Sequence, residues 1–270
     1  MPGHLQAALR AGRLTKVFAL GQFCSPKLVE LVAYLGGYDG IWLDQEHVGM
    51  TIPQIEDACR AARAARLDTF VRMPATDYAA VMRVLEAGAG GVMASMVRSV
   101  REAHDLIRWA KFHPRGERGV NGTGVDGRYG LMSSLDYLAQ ANETTLLSVQ
   151  IEHIDALNVI EEIAALEDLD FLFVGPADLS QSLGIPCQWE HPELWRAIER
   201  VAAACRTAKR PWAILPISPA FARRAVDLGC TMLSIGIDAW AIARGVRALQ
   251  DQYAEFFSNL PDANAATHAS

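Results

Sequence analysis

The sequence lacks the usual marks of several protein classes. Its five cysteines (Cys24, Cys59, Cys187, Cys205 and Cys230) are odd in number and scattered, with no Cys-x-x-Cys pair. That argues against a disulfide framework or a thiolate zinc site, and a reducing cytoplasm is the compartment expected. No apolar run approaches the ~18–20 residues of a bilayer crossing. Met1–Pro2–Gly3–His4 lacks the charged-then-apolar layout of a secretion signal. Bases do not outnumber acids: 25 Lys and Arg against 31 Asp and Glu give a net charge of −6, with the signs interspersed. A nucleic-acid surface needs a basic stripe instead. There is no Walker loop, no nucleophile elbow, no internal repeat and no linker that would split the chain. Lys16, Lys27, Lys111 and Lys209 all fall at element edges, so none is placed for a Schiff base.

What is present is an alternation. The chain has 270 residues, 51% of them hydrophobic, ample for one large core and close to the ~250 residues of a (β/α)8 barrel. Strand-like runs are expected at 17–23, 40–43, 69–71, 91–96, 146–151, 171–174, 212–215 and 232–235. Helical spacing is expected at 26–35, 52–65, 78–87, 99–111, 135–142, 155–166, 191–208, 219–228 and 239–257. Gly88 suits the left-handed position that stops a helix. Ser99 and Glu102 have the spacing of a capping box. Residues 112–129 hold five glycines and read as a long functional loop. The pattern predicts an α/β protein, a single TIM barrel over residues 1–257 with a short helix at 4–14 over the barrel floor. A polar tail at 258–270 is expected to be disordered. A doubly wound sheet is the rival fold, but no Gly-x-Gly-x-x-Gly follows the first strand.

In such a barrel the chemistry gathers at the C-terminal ends of the strands. The second strand delivers Asp44, Glu46 and His47, and the third Arg72. The fifth delivers Gln150 and Glu152, and the sixth Asp178; the last two offer mostly apolar groups and Asp238. Glu152 and Asp178, on adjacent strands, suit one hard divalent cation with positions left for water and substrate. The plainer alternative is that each acid caps a helix or pairs with an arginine. Arg72 can stabilise a developing oxyanion such as an enolate, or simply neutralise Glu46 or Glu152. His47 titrates in the range useful for proton transfer, with Asp44 three residues earlier able to orient its ring; a surface histidine is the competing reading. Gly175–Pro176–Ala177–Asp178 opens a turn whose free N–H groups can receive a substrate carboxylate. Met82, Met93 and Met96 read as core, and Trp189, Trp195, Trp212 and Trp240 as packing or subunit contacts. His104, His113, His153 and His191 have no evident partner spacing.

Taken together, these stretches resemble the HpcH/HpaI family of metal-dependent (class II) pyruvate aldolases, of the 4-hydroxy-2-oxoheptanedioate aldolase type. The likeness runs from about Leu14 to Phe256. It is carried by the run from Trp42 through Asp44 and Glu46 to His47, by Val71–Arg72–Met73–Pro74, and by the Lys111-to-Gly119 stretch. Val149–Gln150–Ile151–Glu152 and the run from Val174 through Gly175, Pro176, Ala177 and Asp178 to Ser180 complete it. The resemblance implies that Glu152 and Asp178 ligate Mg2+, Mn2+ or a similar ion, Co2+ and Zn2+ included. It also implies that Arg72 stabilises an enolate oxygen, that Gln150 and the Ala177 backbone hold the pyruvate end, and that His47 with Asp44 assists a water as base. It further implies a homohexamer, a trimer of dimers that exchange their last helices. An acid from the neighbouring subunit then joins His47; the matching position is Glu86, where the family usually has Asp. Ser95 stands where the family often has Pro.

The expected activity is therefore reversible cleavage of a 4-hydroxy-2-oxo acid to pyruvate and an aldehyde, small molecules being the partners. Oxaloacetate decarboxylation or acyl-CoA cleavage at the same site is the second reading, and a barrel that binds metal or oxo acid without turnover the third. Acceptor specificity is expected in the loops and at a subunit boundary.

Overall fold

In the computed structural model, which describes residues 3–257, eight strands close into a barrel in sequence order. They are β1 (Thr15–Leu20), β2 (Gly40–Asp44), β3 (Asp68–Pro74), β4 (Gly91–Ser95), β5 (Leu146–Ile151), β6 (Phe171–Val174), β7 (Trp212–Ile214) and β8 (Met232–Ile237). All neighbours pair in parallel, and β8 closes on β1 with a register shift between Val17 and Ala19. The tail at 258–270 lies outside the described residues.

The strands are buried on both faces, as parallel strands under helices must be, and their two-residue period sorts side chains into two cores. Ile41, Leu43, Val71, Val149 and Ile151 face outward onto helices. Val17, Trp42, Phe70, Met93, Leu146, Phe171 and Met232 fill the interior. Two residues further along the same inward faces come Asp44 after Trp42, and Arg72 after Phe70. Gln150 follows Leu146 and Ser148 in the same way. The period that packs an apolar interior thus lifts a polar layer to the mouth.

The N-terminal helix closes the floor. It spans His4–Arg10, shorter than the expected 4–14, and buries Leu5, Ala8 and Leu9; the Leu5 N–H donates to Asp68 and Gln6 Nε2 donates to Asp170.

Several bounds differ from expectation for identifiable reasons. β1 ends at Leu20, not 23, because the buried Asp238 carboxylate accepts the N–H groups of Gly21 and Phe23 and bends the chain away. β3 runs beyond the expected 69–71 and pairs Arg72 with Asp44. The helix expected at 155–166 breaks at Val159 (φ −116°, ψ 24°) into Ile154–Asn158 and Ile160–Ala164. The final helix is Asp238–Gln252, followed after Tyr253 by Ala254–Phe257. Gly88 does take a left-handed conformation, φ +95°. Ser99 Oγ accepts the Glu102 N–H, but the Glu102 carboxylate reaches back to the Arg98 N–H rather than closing a box on Ser99. The loop after residue 111 is pinned by the buried Arg118, which with the Tyr137 hydroxyl donates to Asp126.

Candidate active site

The polar layer is built around Arg72. Its Nε and Nη2 donate to Asp44 Oδ1 and Oδ2 at 3.1 and 2.7 Å, and Nη1 lies 3.4 Å from Glu46 Oε2. The guanidinium carbon stands 4.9 Å from the Trp42 ring centroid, a cation–π contact that fixes its plane. Two carboxylates and an indole hold this cation in place. The two hydrogen bonds to Asp44 use two of its five N–H groups, and Arg72 lines the mouth.

Asp44 is shared. Besides the guanidinium, its Oδ1 accepts the backbone N–H groups of Glu46 and His47, which shapes the turn after β2. The His47 imidazole faces Glu46, with Nε2 3.6 Å from Oε2, and is largely open to the mouth. Glu46 therefore bridges Arg72 and His47; its pairing with Arg72 is one of the two expected for that guanidinium.

Glu152 follows β5 and is 1% exposed. Its Oε1 accepts the Met96 N–H at 2.7 Å; Met96, read as core, is 38% exposed with φ +53°, so its backbone rather than its side chain serves the site. Glu152 Oε2 is buried and has no partner, and the same holds for Gln150 Oε1. Burial pushes the Glu152 carboxyl up to about 7, with Glu46 and Asp178 adding repulsion against the opposing Met96 N–H and Arg72. Gly175 makes room for this arrangement: a Cβ there would fall 2.5 Å from Glu152 Oε2 and 2.7 Å from Gln150 Nε2. Pro176 starts the helix Pro176–Ser182, whose first turn no side chain caps, and Ala177 and Asp178 stand exposed there. An acid with an idle buried oxygen, beside a second carboxylate, suits a divalent cation. Among the described residues no three His, Cys, Asp or Glu side chains gather for a metal, so water and substrate oxygens would complete such a shell.

The cavity above these groups has a volume of about 550 Å³. Asp44, His47, Arg72, Gln150 and Asp178 line it together with Trp189 and Trp240. Trp189 also packs against the core, as expected, while Trp240 is 49% exposed; Trp195 and Trp212 are buried. Nothing in the spacing of Trp189 and Trp240 marks them out.

Two residues stay apart. Glu86 ends the helix Tyr78–Glu86, which runs back from the mouth, and its Oε2 accepts from Asn121 Nδ2 at 3.4 Å. Within one chain it does not meet the site. Lys111 is buried with Nζ donating to the carbonyls of Asn142 and Thr145, and burial lowers it to about 8. His153 and His191 cap helices.

The sequence profile of the HpcH/HpaI aldolase/citrate lyase family matches residues 17–244. The chain belongs to this family. A hydroxypyruvate/pyruvate aldolase of Pseudomonas aeruginosa is 32% identical over 91% of this chain and 90% of its own. A 4-hydroxy-2-oxo-heptane-1,7-dioate aldolase of Klebsiella pneumoniae is 31% identical over 99% and 100%. The crystal structure of an HpcH/HpaI aldolase/citrate lyase family protein from Burkholderia cenocepacia superposes with a TM-score of 0.85, at 32% identity over 92% and 98%. This HpcH/HpaI protein is thus an enzyme, a carbon–carbon lyase of the aldolase type.

Proposed function

We propose that the protein reversibly cleaves a 4-hydroxy-2-oxo acid to pyruvate and an aldehyde, assisted by a divalent cation held by Glu152 and Asp178. The observation that carries this is the idle, buried Oε2 of Glu152 next to Gln150, Asp178 and a pre-set guanidinium. The printed names of the relatives, each an aldolase of a 2-oxo acid, point the same way.

A bound cation would supply Lewis-acid polarisation of the 2-oxo group, and oxygen ligands favour Mg2+ or Mn2+ over Co2+ or Zn2+. Everything else falls to the chain. The uncapped first turn at Ala177 and the Gln150 amide orient the carboxylate end. His47 accepts the proton of the C4 hydroxyl as the C3–C4 bond breaks, and the aldehyde leaves. The electron pair spreads onto the C2 oxygen, where the remaining N–H groups of Arg72 stabilise it. A proton delivered to C3 then gives pyruvate. Asp44 and Glu46 are positioning residues: they hold Arg72 and, through Glu46, His47. Pyruvate release assayed before and after chelation tests the reading, and turnover surviving full metal removal sinks it.

The assembly belongs to the same proposal. Of the helix Asp238–Gln252 only Asp238 is buried, while Ile242, Val246 and Leu249 are exposed. Leu31, Tyr34 and Leu35 on the helix after β1 are likewise uncovered. Two matching apolar surfaces on one chain suit a dimer that exchanges these helices, and three such dimers a hexamer. In that assembly Glu86, whose Oε1 is buried without a partner, serves a neighbour's His47. The five unpaired cysteines favour a reducing cytoplasm.

A further inference from the structure

The cavity is divided, and its second half says what kind of aldehyde it takes. Across the closed barrel from Arg72 on β3 stand Leu215, Ile217 and Ile237 of the β7 and β8 ends, and Trp189, Trp240 and Val48 line the same cavity. Leu215 and Ile217 follow β7, Ile237 ends β8, and Trp240 lies in the first turn of the last helix, so three successive barrel elements build one apolar wall. Asp238 borders it, but its carboxylate is spent on the N–H groups of Gly21, Phe23 and Ala239. Among the described residues lining the cavity, Arg72 and His47 are the basic ones, and both belong to the donor side, where Asp44 and Glu46 neutralise the guanidinium. A carboxylate at the far end of the aldehyde would meet indole and aliphatic carbon with no cation to pair it, a costly burial. A polyhydroxylated aldehyde would lose more water than the one side-chain amide here, Gln22 after β1, can replace.

We propose that the acceptor is an uncharged aldehyde with an apolar body, aliphatic or aromatic, and that Trp189, Ile217 and Trp240 determine this preference. The inference rests on the aldolase reading and adds the substrate class to it. Each methylene drawn against the wall is worth about a fourfold gain in kcat/KM until the cavity is filled.

The test is aldol addition by the intact, metal-loaded enzyme, with pyruvate as donor and propanal, pentanal, hexanal, benzaldehyde, succinate semialdehyde and glyceraldehyde as acceptors. Expected are rising kcat/KM from propanal to hexanal and a preference of at least about tenfold over succinate semialdehyde and glyceraldehyde. Ile217→Arg should reverse the order in favour of succinate semialdehyde, and Trp240→Ala should flatten it. Deuterium exchange into the C3 position of pyruvate, measured without any aldehyde, should persist in both variants and so separates loss of acceptor preference from loss of the enolate step. Succinate semialdehyde or glyceraldehyde serving the wild type as well as hexanal would overturn the apolar assignment while exchange persists. Loss of exchange in the wild type itself would overturn the aldolase reading and this one with it. As a readout free of turnover, hexan-1-ol should quench wild-type tryptophan fluorescence at concentrations where 4-hydroxybutyrate does not; equal quenching by the two contradicts the proposal.

Discussion

Arg72 and Asp44 are register partners on β3 and β2, and they meet side chain to side chain through two hydrogen bonds of 3.1 and 2.7 Å. Both are nearly buried, so neither can be removed without stranding the other. Arg72→Ala should lower kcat about 10²–10³-fold, the scale for losing an oxyanion donor. It should also cost about 3–5 kcal/mol of stability by leaving Asp44 and Glu46 uncompensated. Asp44→Asn should keep the fold and lose activity through a misplaced guanidinium. Steady-state kinetics with denaturant melts checks both; an active Arg72→Ala enzyme removes the guanidinium from the mechanism.

The Glu152 carboxyl is held up near 7 without a cation, against an ordinary value of 4.5. Protonation competes with a cation for the same oxygens, so affinity for Mn2+ should fall as pH drops through about 7. For the cation-free protein the sign follows from linkage: the folded state binds the proton more tightly than the unfolded one. Stability should therefore decline as pH rises from about 4.5 to about 7, and added Mn2+ should restore it. Glu152→Gln should remove both effects in calorimetric titrations and melts at pH 5.5 and 8. A pH-independent Mn2+ affinity in the wild type contradicts the ligand assignment.

Glu46 raises the Glu152 carboxyl by repulsion and touches both Arg72 and His47. Glu46→Gln should shift the acid limb of the pH–activity profile to lower pH while reducing kcat about tenfold or more. A profile that keeps its acid limb separates Glu46 from Glu152.

The period-2 alternation made much of this readable in the chain itself. Trp42 and Asp44 share a face, as do Phe70 and Arg72, so an inward apolar residue announces an inward polar one two positions on. Glu152 and Asp178 were legible as strand-end acids. Glu46 was legible as a partner for Arg72, but its approach to His47 was not, and neither was the place of Trp189 and Trp240 on the cavity. Loops and a helix's first turn aim them, and no periodicity governs those. The break at Val159 has no counterpart in the helical spacing of 155–166. In the proposed assembly Glu86 acts only on a second copy of the chain, which no pattern within one chain could reveal.

The exposed face of the last helix sets an assembly prediction. Val246→Asp together with Leu249→Asp should release monomers, read as a drop in mass by light scattering. If Glu86 completes a neighbour's site, activity should fall with the mass. Monomers that keep full activity would make each chain's site self-sufficient.

The central claim is that this mouth makes a pyruvate enolate with the help of a cation held by Glu152 and Asp178. Deuterium exchange at C3 of pyruvate in D2O, followed by proton NMR with no aldehyde present, reads that step alone. The account predicts exchange that needs Mg2+ or Mn2+, stops on chelation, and is lost in Glu152→Gln and Arg72→Ala. Exchange at the wild-type rate in either variant, or after complete removal of the metal, would contradict it.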